Sequence, residues 1–457
     1  MRADIICGLD IGASSIRALI GHTSGASLEK KKKNLLVDAQ SEILGFAESP
    51  TKGFSKGVVS NLSLLSDVIE ETISRAEDAA HCRVRKVITN IAGAYMKNFK
   101  SRGSVYISDR PSEIREQDIK RCIESARLIA MSLDREVVHL IPEKFYIDDK
   151  IEIDDPLGLF GSKLDVDLNI VTSLVSILQN LTKAINLAGY EVEDIIASGV
   201  GTALAVFNRQ ELEEGAILID VGKDLTEAAL FMDAKLKDCF YLPFGSDDLT
   251  QALQDNLKIM FKEAEELRIK HGIITKNSHE LFDDSQILIP LSKDETGSGS
   301  EDAQPGHKRS EGNWVDSELS DAGASSFMRP EKANSVSKQE ISNILFPKAE
   351  EIMRDVYKKI MPFLKQKKKL PCIYVLGGVS KMDGFVEAVE EIFKVPVNMG
   401  RIRESGDFHD VNFAAVLGLM RYGACKASDK KRGNIFDVNS FAGRVLSKIQ
   451  SIFSEYF

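Results

Sequence analysis

The stretch from Ile5 to Gly21 constrains this chain most. An apolar arm runs into Gly8-Leu9-Asp10-Ile11-Gly12, a small polar turn follows at Ala13-Ser14-Ser15, and Ile16 to Ile20 resumes the apolar pattern. That pattern predicts a tight β-hairpin. Gly12 has no Cβ, so a ligand can approach its backbone closely. The N–H groups and hydroxyls of such a turn suit phosphate oxygens. Asp10, at the mouth of the turn, suits a hydrated magnesium ion, which takes few carboxylates alongside phosphates and waters. The theme returns at Ala216 to Leu230, where an apolar strand enters Asp220-Val221-Gly222, a polar turn follows, and an apolar strand leaves. A third stretch carries the strand Ile373 to Leu376 through Gly377-Gly378 toward a helix. Either hairpin alone reads equally well as an ordinary polar turn. Two like hairpins followed by a diglycine turn are what a nucleotide clamped between two similar domains requires.

In this order and spacing the three stretches resemble the superfamily of actin, DnaK-type chaperones and sugar kinases. The resemblance implies an α/β, actin-like (ribonuclease H-like) two-domain fold with a nucleotide cleft. It implies ATP with Mg2+ as the ligand. Gly12, Ala13, Ser14 and Ser15 would hold phosphates from one side, and Gly222 with Lys223 from the other. Asp10 and Asp220 would position the metal through water, and Gly377 and Gly378 would face the adenosine. The run Ala264-Glu265-Glu266-Leu267-Arg268 resembles the Ala-Glu-x-x-Lys helix of that superfamily, which implies that Glu265 and Arg268 reach the ribose and base. Read by itself, the same run is a surface helix with charge pairs three residues apart.

At 457 residues the chain has material for two or more domains. Its charged fraction of 28% and hydrophobic fraction of 43% are those of an ordinary soluble globular protein. A net charge of -10 argues against general nucleic-acid binding. No apolar run reaches the roughly 18 residues of a spanning helix, and the start resembles no secretory signal. Six scattered cysteines without a Cys-x-x-Cys pair predict reduced thiols, and the seven histidines form no ligand-spaced cluster. These features place the chain in the cytoplasm.

Between the hairpins lies a block with its own character. Lys97 to Ile107 reads as strand, Ser112 to Ser132 as helix and Val137 to Phe145 as strand. The elements His139-Leu140-Ile141-Pro142 and Asp155-Pro156-x-Gly158-x-x-Gly161-x-x-Leu164 resemble the FtsA family of bacterial cell-division proteins. That resemblance implies an inserted small α+β subdomain involved in protomer and divisome contacts. His139 itself reads as a satisfied, partly buried histidine rather than a catalytic one.

The expected divisions are 1–85 and 166–214 for the first core, 86–165 for the insert, 215–240 and 346–423 for the second core, and 241–345 for an outer subdomain. Residues 292–338, poor in branched aliphatics, read as a flexible insertion. Residues 424–440 read as a linker and 441–457 as an amphipathic helix. In that last stretch Phe441, Ala442, Val445, Leu446, Ile449, Ile452, Phe453, Tyr456 and Phe457 share an arc of roughly 160° at about 100° per residue. Arg444 and Lys448 lie on the other face. From Ala424 onward there are six basic and three acidic residues, +3 on an acidic chain. A basic amphipathic helix behind a polar tether reads as an interfacial membrane anchor, with a helix docked on the protein body as the alternative. An anchor agrees with the FtsA resemblance. That resemblance implies a peripheral location on the cytoplasmic side of the inner membrane at the septum, self-association into filaments, and FtsZ among other divisome proteins as partners.

One departure stands out. The second turn of that family usually reads Asp-Ile-Gly-Gly-Gly-Thr-Thr-Asp, whereas here it is Asp220-Val221-Gly222-Lys223-Asp224-Leu225-Thr226-Glu227. Side chains at 223 and 224 hinder backbone approach to phosphates. Lys223 offers a compensating cation, and Asp224 a repelling charge. ATP binding is therefore expected to be retained or weakened and hydrolysis to be slow or absent. A PilM-like pilus adaptor shares the expected fold but lacks the terminal helix. A sugar kinase or polyphosphatase needs an intact second turn, and a DnaK-type chaperone needs a C-terminal peptide-binding domain.

Overall fold

The computed structural model describes residues 5–23, 41–130, 132–276, 286–289, 334–365, 370–403 and 409–431. Two five-stranded sheets carry the architecture, and each is built to the same plan. In the first, Ile5–Ile11, Ser15–Thr23 and Ser41–Pro50 form an antiparallel meander. Lys86–Ile91 and Glu191–Ala197 continue the sheet in parallel on the other side of Ile5–Ile11. In the second, Ala216–Val221, Thr226–Met232 and Lys235–Leu242 form the meander, and Cys372–Leu376 and Asn398–Met399 add in parallel. Both leading strands lie inside their sheets with helices packed on them, so nearly every position of Ile5–Ile11 and Ala216–Val221 is buried.

Helix Leu62–Ala80 covers the first sheet with Leu65, Ile69, Ile73 and Ala76, all fully buried. Its start is fixed by Asn61, whose side chain accepts the Leu64 N–H at 3.0 Å. Helix Ser198–Val206 and the closing helix Ala414–Lys431 cross so tightly that a Cβ on Gly418 would lie 1.6 Å from the Gly201 carbonyl. Only glycine permits that approach. The apolar core of the first half continues past these helices to Ala216, Leu218, Ala229 and Phe231 on the back of the second sheet.

The insert is a four-stranded sheet of Lys97–Tyr106, Lys163–Leu174, Arg135–Ile147 and Ile151–Ile153, with helix Glu116–Ala130 packed on it. Its limits differ from those expected at 86 and 165. Lys86–Ile91 pairs with the first sheet, so the insert starts beyond it. The stretch expected to rejoin the main sheet at Val166 stays in the insert to Leu174, paired to both neighbours. The expected helix from Ser112 begins at Glu116, because Ser112–Glu113 pairs with Phe160–Gly161. The insert also reaches the second half. Buried Asn169 donates to the carbonyls of Leu236 and Lys237 at 3.0 and 3.1 Å, and Lys235 Nζ donates to the Glu143 carbonyl at 3.0 Å. The Asn169 bonds give two carbonyls of the edge strand Lys235–Leu242 a partner from the insert.

Other boundaries move as well. The strand Lys235–Leu242 carries the second sheet past the limit expected at 240. Helix Lys338–Lys365 is one element that runs through the limit expected at 345, with Pro347 inside it. Asn334–Ser337 pairs with Gln286–Ile289, so the segment expected to be flexible over 292–338 ends in a strand and the start of that helix; its remainder lies outside the described residues. The linker expected from 424 is helical to Lys431. Ala424 and Cys425 are buried, and Lys426 Nζ lies 2.9 Å from Asp194 Oδ2. The terminal amphipathic segment, with Phe441, Arg444, Val445, Leu446, Lys448, Ile449, Ile452, Phe453, Tyr456 and Phe457, lies outside the described residues. Among the described residues no helix is long and apolar enough to cross a membrane.

Candidate functional site

The duplicated hairpins bring two matching turns to one cleft. Gly12 N–H donates to the Ser15 carbonyl at 3.1 Å, and Gly222 N–H donates to the Leu225 carbonyl at 2.9 Å. The first turn is braced from the third strand. Thr51 Oγ1 donates to the Gly12 carbonyl at 2.6 Å, and Thr51 N–H to the Ser14 carbonyl at 3.1 Å. The second turn is braced by the start of helix Ser246–Leu257, where Ser246 and Asp247 N–H groups donate to the carbonyls of Gly222 and Lys223. The diglycine turn closes the third side. Gly377 has φ 88°, and a Cβ there would lie 2.1 Å from the Val221 carbonyl, whereas Gly378 faces open space.

These walls enclose a cleft of about 680 Å³, within the range of small-molecule sites. Asp10, Gly12, Ala13, Ser14 and Ser15 line it from the first half. Asp220, Gly222, Lys223, Glu265, Arg268, Gly377 and Gly378 line it from the second. The structure thus brings every cleft residue singled out in the sequence to one place. The reading of Glu265 to Arg268 as a surface helix does not hold, since Arg268 is buried and its Nε donates to Thr250 Oγ1 at 2.8 Å.

Hairpin register explains the electrostatics. In the first hairpin Asp10 pairs across the strands with Arg17. In the second, Asp220 pairs with Glu227, two carboxyls of which ionisation of one opposes ionisation of the other. Asp10 Oδ1 accepts from Asn90 Nδ2 at 2.6 Å, and Arg17 lies 3.4 Å from its other oxygen. Burial pushes the Asp10 carboxyl above its ordinary range, and Arg17 works against that push. Burial, with the nearby charge of Asp10, pushes Asp220 up to about 6. Glu227 is pushed up to about 8, by burial first and Asp220 second. Its Oε1 accepts from Gly199 N–H at 2.7 Å and from the Tyr241 hydroxyl at 3.0 Å. At neutral pH it is therefore mostly a neutral acid held against the start of helix Ser198–Val206.

A divalent cation would relieve the repulsion between Asp10 and Asp220. Among the described residues no group of three or more His, Cys, Asp or Glu side chains forms a metal site by itself. Two carboxylates beside phosphate-sized turns fit Mg2+, which completes its shell with phosphates and waters.

Sequence reasoning missed the supporting residues Arg17, Asn90 and Thr51. Arg17 was within reach of a count: a turn that pairs Ile11 with Ile16 sets Asp10 opposite Arg17. Asn90 ends a strand of the first sheet and receives the Ile11 N–H on its Oδ1 at 3.2 Å, a long-range contact without a local signal. His139 is buried, and its Nε2 accepts the Ala197 N–H at 2.9 Å, which is a structural role.

Fold and cleft together define an actin-like two-domain protein with an α+β insert in its first half. Residues 93–172 match the SHS2 domain inserted in FtsA, and residues 217–418 match the family described as cell division protein FtsA. The chain belongs to the FtsA family of cell-division proteins. It is 29% identical to the cell division protein FtsA of Pseudomonas aeruginosa, over 93% of this chain and 90% of that protein. It is 27% identical to that of Borreliella burgdorferi, over 100% of this chain and 99% of that protein. Among solved structures it is similar to the PilM-PilN type IV pilus biogenesis complex, with a TM-score of 0.57 at 14% identity over 92% of this chain and 98% of the matched one. At that identity the likeness to the pilus protein is one of fold.

Proposed function

We propose that the chain is a peripheral membrane scaffold of the division septum. It binds ATP with Mg2+ in the cleft, assembles head-to-tail into actin-like filaments, and tethers FtsZ polymers to the cytoplasmic face of the inner membrane, where later divisome proteins join. The observation that carries the nucleotide reading is the pair of opposed turns at Gly12 and Gly222 with Asp10 and Asp220 between them. Phosphates would lie against the turn N–H groups, the metal beside the two aspartates, and the adenosine toward Gly377, Gly378, Glu265 and Arg268. The basic amphipathic pattern of residues 441–457 supports the membrane contact.

The cleft is built to hold rather than to hydrolyse. An attacking water needs a carboxylate free to orient it and take its proton. Glu227, last in the second turn, is mostly protonated and already bound to Gly199 and Tyr241. The bound nucleotide therefore acts as a structural ligand between the halves. Isothermal titration with Mg-ATP should give saturable one-site binding, with phosphate release below about one turnover per minute, far under the typical enzyme median of roughly 10 per second. Absence of binding, or rapid multiple turnover, would contradict this reading.

A further inference from the structure

One face of the insert's sheet touches both halves of the molecule. Asn98, His139, Ile141, Asn169 and Val171 share that face, because Asn169 pairs with Ile141, and Val171 pairs with His139 on one side and Asn98 on the other. Toward the first half the face is mainly apolar. Val171 and Ile141 join the core of that half, and His139 accepts the Ala197 N–H at 2.9 Å. Toward the second half it turns polar. Asn169 donates to the carbonyls of Leu236 and Lys237. Asn98 Nδ2 donates to the Asp238 carboxylate and, at 3.2 Å, to the Cys239 carbonyl. Lys235 Nζ donates in the other direction, to the Glu143 carbonyl. All of these second-half residues lie on the strand Lys235–Leu242.

That strand belongs to the cleft's own framework. It pairs with Thr226–Met232, the outgoing arm of the second hairpin, and sets Tyr241 opposite Glu227. The insert therefore grips the second hairpin while rooted in the half that carries the first. The apolar core that runs between the halves is non-directional, so it holds them together without fixing the angle between them. Asn169 is fully buried at 0% exposure. A buried amide costs free energy unless it is bonded, and an aliphatic side chain there would bury more apolar surface. What the amide adds is direction. We propose that the insert is a brace that sets the angle between the two halves, with Asn169 and Asn98 as its positioning residues, and that it thereby pre-forms the cleft for its ligand. The pre-forming rests on the nucleotide reading above; the brace does not.

The test uses the full chain and its N169A and N98A forms. Asn98 is half-buried at the rim of the contact, so N98A keeps the test in force should N169A fail to fold. Spin labels at L64C on the first half and K262C on the second, both exposed positions, read the angle as a distance distribution. C82S and C372S remove the two half-buried thiols from every form. The distribution should be narrow in the parent chain and broaden in both variants. Titration with Mg-ATP reads the pre-forming. Its affinity should fall by about tenfold in N169A, the worth of two neutral hydrogen bonds that no longer hold the halves in the binding arrangement. Distributions equally broad in parent and variants overturn the brace. Broadened distributions with unchanged Mg-ATP affinity overturn the pre-forming and leave the brace. Failure of the parent chain to bind Mg-ATP overturns the nucleotide reading and the pre-forming with it, while the distances still decide the brace.

Discussion

Cross-strand pairing decides the chemistry of each turn at the scale of single residues. Asp10 faces Arg17 and keeps a counter-charge, whereas Asp220 faces Glu227 and has none there. Burial above all, aided by the charge of Asp10 at Asp220 and of Asp220 at Glu227, makes both carboxyls of the second hairpin hold protons more tightly in the folded chain than in the unfolded one. The sign of the pH effect follows. A raised carboxyl contributes its full stability below the ordinary carboxyl range and loses it as pH rises, through about 6 for Asp220 and about 8 for Glu227. The ligand-free chain should therefore melt at progressively lower temperature as pH rises across that window. E227Q should flatten the upper part of the curve, since its amide has no proton to lose. A melting temperature independent of pH in the parent chain would show that the pair does not titrate as described. Saturating Mg2+ with nucleotide should reduce the slope that comes from Asp220.

The hairpins were legible among the elements because an apolar arm, a short polar turn and a second apolar arm follow one another directly. The insert was legible as a unit but not at its edges. Lys86–Ile91 and Lys163–Leu174 look alike as strand sequences, and only their partners assign one to the first sheet and the other to the insert. Pro347 lacks an N–H to donate, yet the long amphipathic helix Lys338–Lys365 absorbs it. Lys426 suggested a solvated tether, but its ammonium reaches Asp194, which is fully buried and also accepts from the Tyr422 hydroxyl at 3.0 Å. That ion pair fastens the end of the closing helix to the first sheet. K426A should lower stability by roughly 3 kcal/mol, because it leaves a buried carboxylate without its cation. Chemical denaturation measures this, and a change below about 0.5 kcal/mol, the size of an ordinary surface substitution, would mean that the pair is solvated after all. The supporting residues of the cleft stayed hidden for the same reason as the sheet edges: Asn90 and Thr51 act on distant backbone, and local pattern carries no trace of that.

For the whole molecule, two halves on one plan face each other across the cleft, and three features tie them together. The Asp224 to Lys56 contact bridges the cleft, Asn169 caps the edge strand of the second sheet from the insert, and the apolar core continues between the sheets. The membrane contact proposed for this chain rests on the basic amphipathic pattern of the last residues in the sequence. The most direct measurement is flotation of FtsZ polymers with anionic phospholipid vesicles, in the presence of Mg-ATP and either the full chain or a form ending at Ser440. FtsZ should float with the vesicles only when the full chain is present. Equal flotation with the shortened form, or vesicles that carry the full chain but no FtsZ, would contradict it.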